Sequence, residues 1–170
     1  MKTFLLLEVF LVAFVLSVAG CTDKGQELFS HGGEDLVGVK TLTGVTVDNE
    51  DCFSGTGCLK IEAESDRQVR LFETGDVDVE DARLLYSARL RSRGLTGEAY
   101  LEMLVTIPGK GKFFSKGLDQ KLTGTTEWVE VTIPFFLKSG QNPDNVQLNV
   151  MIEGTGTVWV DEIKLKSAPL

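Results

Sequence analysis

Histidine occurs once in these 170 residues, cysteine three times, and tryptophan and tyrosine twice each. One imidazole, His31, leaves no Ser-His-Asp or Cys-His arrangement to read as a nucleophilic site. Positive charge is also scarce: 17 Lys and Arg against 25 Asp and Glu, a net charge of −8. Such a balance opposes the phosphate backbone and argues against nucleic acid as a partner. Helical periodicity is weak throughout, with at most one short turn between Val79 and Leu85. Lys110-Gly-Lys112 is not a phosphate loop, because no Gly-Lys-Ser/Thr opens a helix there. Paired acids such as Glu102 and Glu130 fall short of a glycosidase signature, since any polar sheet face supplies such pairs. The expectation is a protein that is not an enzyme.

Only one long apolar run exists, at the N-terminus. Lys2 precedes Phe4 to Val18, nearly all Leu, Val, Phe and Ala, and small residues follow. That is the charged start, apolar middle and cleavage site of a secretory signal. Val18-Ala19-Gly20-Cys21 resembles the lipobox of bacterial lipoproteins, which implies a signal peptide over residues 1–20 and acylation of Cys21. The alternative is an uncleaved membrane helix, for which Thr3 to Gly20 is barely long enough. Glu8 lies inside the run, where a carboxylate is costly. Several acyl chains on Cys21 would anchor the protein stably. Thr22, rather than Asp, after the cysteine favours the outer membrane by resemblance to Gram-negative sorting rules. Loss of Lys2 and Glu8 with the signal leaves 16 basic and 24 acidic residues, so the charge stays at −8.

With Cys21 assigned to lipid, Cys52 and Cys58 remain, bracketing Phe53-Ser-Gly-Thr-Gly57. Glycine and serine describe a tight turn that can bring the pair into bridging range. Export makes a disulfide the leading reading, with free thiols the alternative. Two cysteines and one histidine do not close a zinc shell.

Residues 21–35 are polar and Gly-containing and read as lipidated Cys21 and a tether. Residues 36–166 show no Pro/Ser linker and no block of like charge, and form one domain; 167–170 read as a tail. Apolar and polar residues alternate along Leu59–Ala63, Leu84–Arg91, Leu101–Ile107, Val129–Ile133, Val146–Ile152 and Thr157–Leu165. Turn signals separate them, among them Pro108-Gly109, Ser139-Gly140 and Gly154-Thr-Gly156. The pattern predicts an all-β, two-sheet antiparallel β-sandwich.

Three stretches carry a family resemblance. Cys52-Phe-Ser-Gly-Thr-Gly-Cys-Leu-Lys-Ile61, Thr123-Gly-Thr-Thr-Glu-Trp128-Val-Glu-Val-Thr-Ile133 and Gly154-Thr-Gly-Thr-Val-Trp159-Val-Asp161-Glu-Ile-Lys-Leu165 resemble strands of carbohydrate-binding jelly rolls of the galactose-binding-like type. The resemblance implies a jelly roll and a non-catalytic, sugar-binding function, with a contact to another envelope protein as the alternative. It also implies a structural Ca²⁺ held by Asp161, with Glu34 or Asp35 as second carboxylate. A buried Asp161 needs a cation or several hydrogen-bond donors, and both readings stay open.

Residues alternating with the core strands would form one polar face: Arg89, Arg91, Tyr100, Glu102, Trp128, Glu130, Gln147 and Asn149. Planar rings beside carboxylates, amides and guanidinium groups suit sugars, whose C–H faces stack while hydroxyls exchange hydrogen bonds. Ordinary solvated cross-strand pairs are the plain alternative. Trp159, between Val158 and Val160, is expected in the core. Pro108-Gly-Lys-Gly-Lys-Phe113-Phe114-Ser-Lys116 forms a basic, aromatic segment suited to a ligand, a partner or the membrane surface.

Overall fold

The computed structural model describes residues 25–170; the expected signal peptide, Cys21 and Thr22 lie outside the described residues. Nine antiparallel strands are present, and no helix among the described residues. They are β1 (Gln26–His31), β2 (Val45–Asp48), β3 (Cys58–Ala63), β4 (Arg67–Glu73), β5 (Ala82–Ile107), β6 (Gly111–Lys116), β7 (Leu122–Leu137), β8 (Asn145–Glu153) and β9 (Gly156–Pro169).

The architecture turns on β5. Its first half pairs with β9 on one side and β7 on the other, from Ala82 to Arg93. Its second half pairs with β8 and β6. One continuous ladder therefore curls into two layers. Layer A holds β2, β3, β1, β9, the first half of β5, and β7; layer B holds β4, β8, the second half of β5, and β6. The crossing lies at Gly94-Leu-Thr-Gly97. Gly94 takes a φ of 62°, open to glycine at little cost. A Cβ on Gly97 would come within 2.3 Å of the Glu153 carbonyl oxygen, so only glycine lets β5 turn past the end of β8.

Period-2 alternation then builds the core. Leu84, Tyr86, Ala88 and Leu90 from layer A face Leu101, Met103 and Val105 from layer B, joined by Val146, Leu148 and Val150 of β8 and Val158, Val160, Ile163 and Leu165 of β9. Tyr86 spans the layers, its hydroxyl donating to the Asn149 carbonyl at 3.4 Å. The phenol has no route to solvent, and burial pushes its pKa far above the usual tyrosine range.

Several expectations change. Residues 26–31 of the expected tether form β1, zipped to β9 from Gln26 opposite Ser167 to His31 opposite Ile163. As an edge strand it exposes polar side chains, while Leu28 and Phe29 pack on the core, so its composition reads as linker. The expected tail is likewise part of β9, with Ser167 and Ala168 buried. Val79 to Leu85 holds no helical turn; the strand begins at Ala82. Cys52 and Cys58 are joined in a disulfide with Cα atoms 5.4 Å apart.

Candidate functional site

Because β5 crosses between layers, the expected polar face is two faces. Arg89, Arg91, Trp128 and Glu130 lie outside layer A, whereas Tyr100, Glu102, Gln147 and Asn149 lie outside layer B. Alternation had assigned each residue to an outward face correctly. It carries no information about which sheet the strand belongs to at that point, and this correction follows from the bend at 94–97.

The outer face of layer B is the more unusual. Glu102 sits opposite Asn149 on one side and Lys116 on the other. Its carboxylate accepts from the Asn149 amide at 3.2 Å and from the Gln68 amide, and pairs with Lys116 Nζ at 3.3 Å. Glu102 is 4% exposed and Asn149 fully buried, although both point away from the core. Tyr100 stands one pair further along, its hydroxyl donating to Glu153 at 3.0 Å. Burial, then the bond to Glu153 and the neighbouring carboxylates, raise its pKa to about 12. Three polar atoms in this region are buried without a partner: Asn149 Oδ1, Gln147 Oε1 and Arg70 Nε. A buried unpaired polar atom costs about 1–3 kcal/mol. Two orphaned acceptors and one orphaned guanidinium N–H on a single outward face are what a ligand with hydroxyl groups would complete.

Gln68, Arg70 and Lys116 complete this face and were not among the expected site residues. Arg67-Gln-Val-Arg-Leu-Phe-Glu73 does alternate, with Val69 and Leu71 inward, so period 2 was the available signal for the first two. A bulge between Arg70 and Phe72 breaks the pattern after four residues and shortens that signal.

Outside layer A, the disulfide loop folds down onto the sheet. Phe53 lies with the Arg89 guanidinium 4.4 Å from its ring centroid and Trp128 6.1 Å away edge-on. Arg89 also pairs with Glu130 at 2.7 Å and Glu162 at 3.7 Å. A cleft of about 250 Å³ adjoins it, lined by Ser87, Arg89, Glu130, Glu162, Lys164 and Lys166. Here every carboxylate already has a cation, so the arrangement reads as cross-strand pairing more than as an open site.

Trp159 is buried, but not in the core. Val158 and Val160 point inward, so alternation sends Trp159 outward. It is covered there by Arg91 and Arg93, with guanidinium carbons 5.5 and 5.0 Å from the ring, and donates to Asp48 at 2.9 Å. That bond, with the backbone N–H of Glu50, holds the Asp48 carboxyl below the usual range.

Asp161 is fully buried at a bulge of β9, where Glu162 takes a φ of 46°. One carboxylate oxygen accepts from the backbone N–H groups of Phe53 at 3.0 Å and Ser54 at 2.9 Å. The other accepts from Ser54 Oγ at 3.3 Å and the Glu162 N–H at 2.7 Å. Four donors satisfy the charge, so the residues present do not fit a calcium site: the oxygens a cation would need face N–H dipoles. Glu34 packs against Gly55 of the same loop, where a Cβ would meet its carboxylate. Among the described residues no three His, Cys, Asp or Glu side chains converge as ligands.

No known protein family profile matches the sequence, and no curated protein matches it. Solved structures do. The xylan-binding family 22 carbohydrate-binding module of Paenibacillus barcinonensis Xyn10C is 15% identical, with 86% of this chain and 97% of that one covered, at a TM-score of 0.60. A Clostridium thermocellum Xyn10B structure, its family 22 module joined to a glycoside hydrolase module and complexed with xylohexaose, is 12% identical over 83% of this chain and 28% of that one, at 0.62. A further family 22 xylan-binding domain is 11% identical over 87% and 98%, at 0.56. The chain has the all-β jelly-roll fold of these carbohydrate-binding modules.

Proposed function

We propose that this chain is an exported lipoprotein, acylated at Cys21, whose jelly roll binds a carbohydrate without acting on it. The observation that carries the reading is the pair of buried, unpartnered acceptors, Asn149 Oδ1 and Gln147 Oε1, on the face that also holds Tyr100 and Glu102. Sugar hydroxyls donate to such acceptors, while Tyr100, only 3% exposed, holds the Glu153 carboxylate on the same face. Binding by the xylan-binding domains of the same fold supports the ligand class. The lipobox-like Val18-Ala19-Gly20-Cys21 supports the anchor, and the Cys52–Cys58 disulfide agrees with an oxidising compartment. Arg89, Trp128 and Glu130 form a second surface, outside layer A, that this reading does not need.

Affinity electrophoresis against soluble xylan and a panel of other neutral polysaccharides tests the site. Tyr100→Ala and Asn149→Ala should each weaken binding about tenfold, the equivalent of one hydrogen bond. Trp128→Ala should leave it unchanged. The opposite ranking would move the site to layer A, and no binding to any polysaccharide would sink the sugar reading. The anchor is tested separately: Cys21→Ala should release the protein from membranes.

A further inference from the structure

Phe113 and Phe114 follow each other on β6, so strand alternation sends their rings to opposite sides. Phe113 lies opposite Val105, a core residue, and Phe114 opposite Leu104, which faces outward. Phe114 therefore stands on the outer face of layer B, where it is 65% exposed. Lys116 Nζ, which pairs with Glu102, lies 5.4 Å from its ring centroid. Single exposed apolar side chains are common on protein surfaces. What distinguishes Phe114 is the row it occupies.

Glu73 lies opposite Gln147, Gln147 opposite Leu104, and Leu104 opposite Phe114, one row across β4, β8, β5 and β6. The neighbouring row is Arg70, Asn149, Glu102 and Lys116. The unpartnered Arg70 Nε, Asn149 Oδ1 and Gln147 Oε1 all belong to the β4 and β8 side of these rows. Towards β6 the first row turns apolar, with half-buried Leu104 leading to the Phe114 ring. Tyr100 is buried, so Phe114 is the one exposed aromatic ring on this face among the described residues. Each cation beside the orphaned atoms is already matched, Arg70 by Glu73 at 3.2 Å and Lys116 by Glu102 at 3.3 Å, so the pattern does not call for a charged ligand.

We propose that Phe114 is the stacking platform of a second subsite, and that this face takes a linear, neutral sugar chain laid across the strands; this rests on the carbohydrate reading above. Adjacent strands lie about 4.8 Å apart, which puts Phe114 about 10 Å from Gln147. A single pyranose resting on the ring does not reach the orphaned acceptors. A chain of linked sugars does, with the C–H face of one unit on Phe114 and the hydroxyls of another at Gln147, Asn149 and Arg70. Phe114 thereby selects for chain length, and the polar side of the rows for hydroxyl groups.

Titration calorimetry of the full chain tests this with xylan, a β-glucan and a galactan, and with short and long oligosaccharides cut from each. For the glycan bound, affinity should rise about tenfold from the short to the long oligosaccharides, the scale of one stacked ring. Phe114→Ala should remove that gain and leave the short ones bound as before. Phe114→Tyr should keep it, whereas Phe114→Leu, apolar without a flat ring, should behave as the alanine variant. Phe136→Ala, similarly exposed but outside layer A, should change nothing. Because Phe114 is largely exposed, its variants should unfold at the wild-type urea concentration. If Phe114→Ala or Phe114→Leu binds the long chains as the wild type does while Asn149→Ala does not, the platform is overturned and the carbohydrate reading stands. If the wild type binds none of these glycans, both fall.

Discussion

Asn149 and Glu102 stand opposite each other on neighbouring strands, the Asn149 amide donating to the Glu102 carboxylate at 3.2 Å while its own carbonyl oxygen has no partner. Glu102 is thus the hub of the layer B face, and Glu130 on layer A offers the contrast. Glu102→Ala strands Gln68, Asn149 and Lys116 and should cost about 2–3 kcal/mol. Glu130→Ala, whose side chain is 57% exposed beside Arg89, should cost less than about 0.5 kcal/mol. Urea unfolding of the two variants measures both, and equal losses would refute the assignment of Glu102 as the buried hub.

The chain has two tyrosines, and both are held protonated. Tyr100 has a folded pKa of about 12 against an unfolded value of 10.0, and burial raises Tyr86 further. A raised folded pKa means the native state holds its proton more tightly. The associated stability is complete below pH 10 and is lost as the pH rises towards 12. Phenolate absorbance should therefore stay near zero through pH 10 and rise together with unfolding. A titration near pH 10 in the folded protein would contradict the burial of both rings.

Asp161 behaves in this structure as a loop clasp. Asp161→Ala unpairs three backbone N–H groups and a hydroxyl and should cost about 3 kcal/mol. Removal of divalent cations with EDTA should leave the melting temperature where it was. A calcium-dependent rise in melting temperature in the wild type, absent from Asp161→Ala, would place a cation there after all.

The disulfide closes only a short loop. Replacing Cys52 and Cys58 together by serine should cost about 2 kcal/mol on the loop-entropy account, a fall in melting temperature of about 5 °C. Far-UV circular dichroism should be unchanged, since β3 remains zipped to β2 and β9. Loss of sheet signal would show that the bridge supports more than its own loop.

The strands and the all-β class were legible because a half-buried strand must alternate, and Leu84–Leu90 and Leu101–Ile107 do so without interruption. That these two segments are one strand was not legible. Gly94 and Gly97 look like an ordinary hairpin turn, and only the structure shows that the strand crosses there from one layer to the facing one, with glycine required at 97 by the close Glu153 carbonyl. The same gap explains the site: Glu102 and Glu130 both point outward, but to opposite sides of the molecule. β1 was hidden for a different reason, since an edge strand anchored by Leu28 and Phe29 has little else to betray it. For Asp161, sequence left a cation and a set of donors as equals; the donors came from Phe53 and Ser54, more than a hundred residues away.

The sharing of β5 between the layers has a consequence for how the chain folds. Both layers are built on the same strand, so neither can assemble and wait for the other. β7, β8 and β9 are made after β5 and all dock onto it, and β8 and β9 must arrive before either half of β5 is flanked on both sides. Folding is then a single cooperative event with long loops to close, slow by the measure of its topology. A chain shortened before Gly156 would lack β9, the strand that joins β1, β3 and β5, and should remain unfolded throughout rather than retain half a sandwich.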